Sequence, residues 1–136
     1  MRYKLLMIAL SSILFLSNAK TVTCSDGFRQ VEMTYYLETG SPCANGKMPR
    51  IGVCAYQSDY VGMTALVYSD NDGTQGELIG IYEIYDTGYG RKESNGKGTI
   101  QNGNTIDIFM DSDENGKEFI KEHGNKVFIK LVDAKG

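Results

Sequence analysis

The chain has one histidine, three cysteines and no Cys-x-x-Cys spacing in 136 residues. Zinc and related centres draw their ligands from clusters of those residue types, so no metal site and no bound cofactor is expected. Basic clusters are also missing. The formal charge is −3 with scattered lysines, which excludes the electrostatic footprint of a nucleic-acid binder, and there is no basic amphipathic helix of the membrane-surface kind. Internal repeats, linkers and low-complexity tracts are absent as well, so the length fits a single domain. The longest apolar run, Leu5 to Leu16, is shorter than the roughly 20 residues a membrane-spanning helix needs.

That run has another meaning. Arg2 and Lys4 precede it, and Ser17-Asn18-Ala19 follows with small residues at the −3 and −1 positions. This is the layout of a secretory signal peptide cut after Ala19. The expectation is export to the extracellular space or cell wall without a stable membrane anchor, since Lys20 and not a lipid-carrying cysteine stands directly after the cut. Residues 20–30 then read as a polar leader and residues 31–136 as the domain. In an oxidising compartment three cysteines allow one internal disulfide. Cys43 and Cys54 bracket a loop with Gly46, Pro49 and Gly52, so the expected bridge is Cys43–Cys54, leaving Cys24 over.

Strand signals dominate what remains. Val31–Leu37, Arg50–Ala55, Thr64–Tyr68, Glu77–Tyr85, Thr105–Met110 and Val127–Val132 are rich in β-branched and aromatic residues and are expected as strands. Ser69-Asp70-Asn71-Asp72-Gly73 is a turn signal, and Gly80 inside a strand suggests a bulge or a close backbone approach. One helix is expected over Ser112–His123, capped by Ser112 or Asp111 and stopped by Gly124. Six short strands and one late helix predict a mainly β fold, a small closed barrel or a sandwich.

Two acidic positions stand out. Asp86-Thr87-Gly88 leaves the fourth strand as a turn. Asp107 lies between Ile106 and Ile108, so if the isoleucines face the core, Asp107 and Phe109 face the other way. In a groove such a carboxyl is desolvated and suited to general acid catalysis; on an outer sheet face it is an ordinary solvated charge. Separately, Asp111-Ser112-Asp113-Glu114-Asn115-Gly116 with Glu122 at the twelfth position matches an EF-hand calcium loop formally. The preceding residues alternate as a strand, however, so the acidic first turn of a helix is the competing reading.

The order of several segments resembles the three-aspartate (3D) domain. The residues that carry the resemblance are Thr34-Tyr35-Tyr36, Gly62–Tyr68, Asp86-Thr87-Gly88, Gly98–Gly103, Ile106-Asp107-Ile108-Phe109, and the helix and last strand that follow. That family is a six-stranded double-psi β-barrel related to the barrel of membrane-bound lytic transglycosylase A. The resemblance implies cleavage of the MurNAc–GlcNAc bond of peptidoglycan with Asp107 as acid/base and Asp86 as its supporting carboxylate. Thr87, Gly88, Tyr35, Tyr36 and Phe109 are the implied substrate contacts, and Tyr85 and Tyr89 are further candidates for packing on sugar rings. Tyr56 stands about where the family's first aspartate belongs, Asp59 is out of register, and Tyr89–Lys97 reads as an insertion. The alternative is therefore an inactive barrel that binds glycan or protein in the extracellular space.

Overall fold

The computed structural model describes residues 27–133; the expected signal peptide, Cys24 and most of the leader lie outside them. The fold is mainly β. Its elements are β1 (Phe28–Tyr36), β2 (Val53–Ala55), β3 (Thr64–Asn71), β4 (Thr74–Asp86), β5 (Thr105–Phe109), α1 (Asp113–His123) and β6 (Lys126–Val132). Neighbouring strands follow the order β1-β5-β2-β4-β3-β6, and β6 pairs back onto β1, so the mixed sheet closes in a ring. Two pairs, β1/β5 and β2/β4, are parallel, and the other contacts are antiparallel. Closure leaves no long unpaired edge.

The strand boundaries depart from the sequence reading where local chemistry met long-range pairing. β1 begins at Phe28, with Phe28 opposite Lys130 and Gln30 opposite Phe128, so the end of the expected leader belongs to the domain. β2 is short because Gly52 takes a φ of +100° just before it, which turns Arg50–Gly52 out of the strand. β3 and β4 run further than expected, into the Asp/Asn/Gly cluster. Only Asp72 (φ 58°) and Gly73 (φ 90°) form the turn, a two-residue hairpin with both centres at positive φ, which matches strand twist. Of the two alternatives expected at Gly80 the bulge occurs, and the close neighbour there is a side chain, not backbone. The β3/β4 register slips beside it, and a Cβ there would lie 2.4 Å from the Tyr82 ring.

The helix forms as read. The Ser112 side chain accepts the Asn115 N–H at 3.1 Å, Asp113 and Glu114 occupy the first turn, and Gly124 ends it at φ +78°. Because residues 113–123 are helical, the EF-hand spacing cannot wrap an ion. Asp113 is instead engaged by the Tyr35 hydroxyl and by Lys117 at 2.9 Å. No group of three or more metal-ligating side chains occurs among the described residues.

Alternation sorts the wall of the ring into two faces. Val31, Met33, Cys54, Val67, Ile84, Ile106, Ile108, Val127 and Ile129 fill the interior. A smaller apolar cluster of Cys43, Val53, Tyr85 and Phe109, with Tyr36 against it, packs separately, on the side opposite those interior residues. The loop between β1 and β2 folds over this second cluster and delivers Cys43 to it. The candidate site lies on that outer side.

Candidate active site

β5 sets the geometry. Ile106 and Ile108 are fully buried in the interior cluster, so the intervening Asp107 is turned to the outer face. In the β1/β5 register Thr34 lies opposite Asp107, and the Thr34 hydroxyl donates to Asp107 Oδ1 at 2.8 Å. The Asp107 carboxyl is pushed above the usual carboxylate range, mainly by desolvation. The Thr34 hydrogen bond pulls the other way, and the negative charge of Asp86 adds to the rise. This is the environment in which a carboxyl holds its proton long enough to donate it.

Asp86 reaches the same place from β4. β2 runs between β4 and β5, and Ala55 is in register with Asp86 on one side and Asp107 on the other. The register of β2 against β4 slips between Cys54 and Ala55, so that Tyr85 is the extra residue. Such a bulge re-aims the side chain that follows it. Asp86 Oδ1 accepts two backbone N–H groups, from Ala44 and Thr87, each at 2.9 Å. One carboxylate therefore ties the β1–β2 loop to the exit of β4. The two aspartates singled out in the sequence share one face and interact electrostatically.

The aromatic assignments fare differently. Tyr35 is on the opposite side of β1 from Thr34. Its ring lies against α1, where a Cβ on Gly116 would come within 2.3 Å of it, so it does not face the aspartates. Phe109 is buried and packs edge-on to Tyr36, with centroids 5.5 Å apart. Tyr85 is buried too, its hydroxyl accepting from Arg50 at 3.2 Å. Burial removes Phe109 and Tyr85 as platforms for a sugar ring, and Tyr36 is mainly a wall of the site. The Tyr36 hydroxyl is buried without a hydrogen-bond partner; burial comes first and the nearby Cys43 and Asp86 second in pushing its proton affinity up. Thr87 and Gly88 do line a cleft beside Asp86.

The expected disulfide is not formed. Cys43 and Cys54 are both buried free thiols. Cys54 belongs to the ring interior, in register with Ile84 and Ile108, whereas Cys43 belongs to the outer cluster, so the two pack in different clusters. Burial, followed by the charges of Asp86 at Cys43 and Asp107 at Cys54, raises both thiols, which suppresses thiolate chemistry. Cys43 and Thr34 are site neighbours that the sequence reading missed. Cys43 was assigned to a bridge, and nothing local to Thr34 announces that strand pairing sets it opposite Asp107.

The cleft that starts at Thr87, the residue after Asp86, has a volume of about 520 Å³ and is lined by Asp59, Thr87, Gly88, Tyr89, Lys97 and Gln101, with Gln57 and Ser58 at its side. One wall is the segment read as an insertion. It folds as a small hairpin, with Lys92 bridged to Gly98 and Glu93 N–H bonded to the Lys97 carbonyl at 2.7 Å. A Cβ on Gly98 would lie 1.8 Å from the Tyr89 carbonyl oxygen, so only glycine allows the two backbones so close. Tyr89 itself is 74% exposed. The insertion forms a wall of the cleft and does not fill it.

Tyr56, in the place where the resemblance expects an aspartate, is fully buried. Its hydroxyl accepts from Arg29 at 2.7 Å and donates to the Gly103 carbonyl at 2.6 Å. It is a clasp between the β2 exit and the segment before β5. Compared with family models, curated proteins and solved structures, the chain matches none.

Proposed function

We propose that the protein is a peptidoglycan-cleaving enzyme of the lytic transglycosylase type, built on a double-psi β-barrel and exported to act on the cell wall. The observation that carries this reading is the paired setting of Asp107 and Asp86 about Ala55, in which burial and the neighbouring charge raise the Asp107 carboxyl. The closed ring with two parallel pairs, β1/β5 and β2/β4, is compatible with the double-psi connection.

Most glycosidases need two carboxylates to serve as acid and as base or nucleophile. A transglycosylase needs one proton carrier, because the sugar's own 6-hydroxyl replaces water. Asp107, protonated, donates to the glycosidic oxygen as the C1–O4 bond breaks. The resulting carboxylate takes the proton of the 6-hydroxyl as O6 bonds to C1, leaving a 1,6-anhydro end and restoring Asp107. No water is consumed and the proton count closes. Asp86 holds the loop, and its charge adds to the desolvation that raises the Asp107 carboxyl. No cofactor enters this chemistry.

A second reading, an extracellular barrel that binds glycan without turnover, is favoured by one observation: Tyr56 brings no acid to the place of the family's first aspartate. Incubation with purified peptidoglycan separates the two. The enzyme reading expects anhydro-muropeptides by mass spectrometry from wild type and none above background from Asp107→Asn; equal product from both would sink it.

A further inference from the structure

The cleft beside Asp86 belongs to no residue role assigned so far except those of Thr87 and Gly88. Among the aromatic residues considered for sugar contact, Tyr89 alone is largely exposed, and it lines this cleft. It is also held in place. Its carbonyl accepts the Ile100 N–H at 2.9 Å, and Gly98 packs directly on it, so the ring is presented from a fixed backbone. Gln101 lies in the same cleft with its Oε1 bound by the Gly98 N–H at 2.8 Å, which leaves its NH2 end as the donor. A fixed, exposed ring with an oriented amide donor suits a sugar that has an apolar face and an acetamido carbonyl. The volume of about 520 Å³ is within the range of ligand sites.

From this geometry we infer that the cleft is a subsite for an N-acetylated aminosugar, with Tyr89 as the stacking platform and Gln101 as the acetamido donor. The inference deepens the enzyme reading above and rests on it for the adjoining reaction centre, but binding is tested separately from turnover. The Asp107→Asn protein is titrated calorimetrically with chitotetraose. Tyr89→Ala is expected to weaken binding about tenfold or more, Tyr89→Phe to preserve it, and the melting temperature to stay the same because the ring is exposed. Cellotetraose, which lacks the acetamido group, is expected to bind at least about tenfold more weakly. Equal affinity of Tyr89→Ala and its parent, or no binding by either, overturns the subsite; equal affinity for cellotetraose overturns the ligand class. Tyr89-dependent binding in a protein that makes no anhydro product supports the subsite while removing the enzyme reading. Anhydro product from wild type with a KM unchanged by Tyr89→Ala does the reverse.

Discussion

Two long connections border the aspartates, and they behave in opposite ways. The loop from residue 37 to residue 52 closes down: it buries Cys43 against Val53, Tyr85 and Phe109 and gives its Ala44 N–H to Asp86. The segment from residue 87 to residue 104 stands up: it pairs with itself, leaves Tyr89 exposed and borders a cleft. The first is held by apolar burial and one carboxylate. The second is held by backbone contacts that need glycine at Gly90 and Gly98. A loop that packs an apolar cluster on the face of the carboxyls and a loop that leaves room for ligand would, on the proposed function, divide the two demands of acid catalysis, a dry proton and an accessible substrate.

Removing the proposed proton carrier breaks that division most severely. Asp107→Asn keeps an oxygen for the Thr34 hydroxyl yet has no proton to cycle, so turnover of peptidoglycan is expected to fall by about 10²- to 10⁴-fold. A smaller loss would mean that the covered face is not the reacting one. Asp86 separates the two duties of the first loop. Asp86→Asn keeps an acceptor for the Ala44 and Thr87 N–H groups but deletes the charge. Because that charge helps raise Asp107, the alkaline limb of the pH–rate profile should move to lower pH, with modest change in stability. Asp86→Ala should show the same movement and also loosen the loop, seen as faster amide exchange at Ala44. An unmoved limb in Asp86→Asn would remove Asp86 from any electrostatic role.

Next in size is a contrast between glycines. Gly98→Ala places a methyl against the Tyr89 backbone, and overpacking of this kind costs about 1–3 kcal/mol or more. Gly46→Ala in the first loop meets nothing within 4 Å but must adopt a φ of +85°, at a cost of about 1 kcal/mol. Urea unfolding of both variants should therefore place Gly98→Ala clearly below Gly46→Ala. The reverse order would mean that the hairpin yields easily and is not a fixed wall.

Much of the frame was legible because it depends on local pattern. Alternation located all six strands and the side of β5 on which Asp107 stands, and Ser112 with Gly124 marked the helix. The sequence reading also singled out the two aspartates that share a face. What failed was long-range. Spacing made Cys43 and Cys54 look like a clamp, but one thiol joined the interior and the other the outer cluster. Tyr35, Tyr36 and Phe109 looked like ligand contacts because aromatic identity says nothing about face or burial: Tyr35 lies against α1 and Phe109 is buried. Tyr89, inside a segment read as an insertion, is the ring among the candidates that remains open to solvent.

The smallest effect sharpens the comparison from the side of stability. A carboxyl whose folded-state proton affinity is raised destabilises the native state when ionised, so stability falls as pH climbs from the ordinary carboxylate pKa, about 3.9, through the raised folded value. Below that window aspartate and asparagine at residue 107 should be equivalent. Above it, Asp107→Asn should be the more stable protein while being the inactive one. Chemical unfolding of the pair across pH 3–8 measures the difference directly. A gap that opens with pH identifies the cost of holding the Asp107 carboxyl in its buried setting, and a gap that is constant or of opposite sign would mean that Asp107 is solvated as an ordinary surface charge.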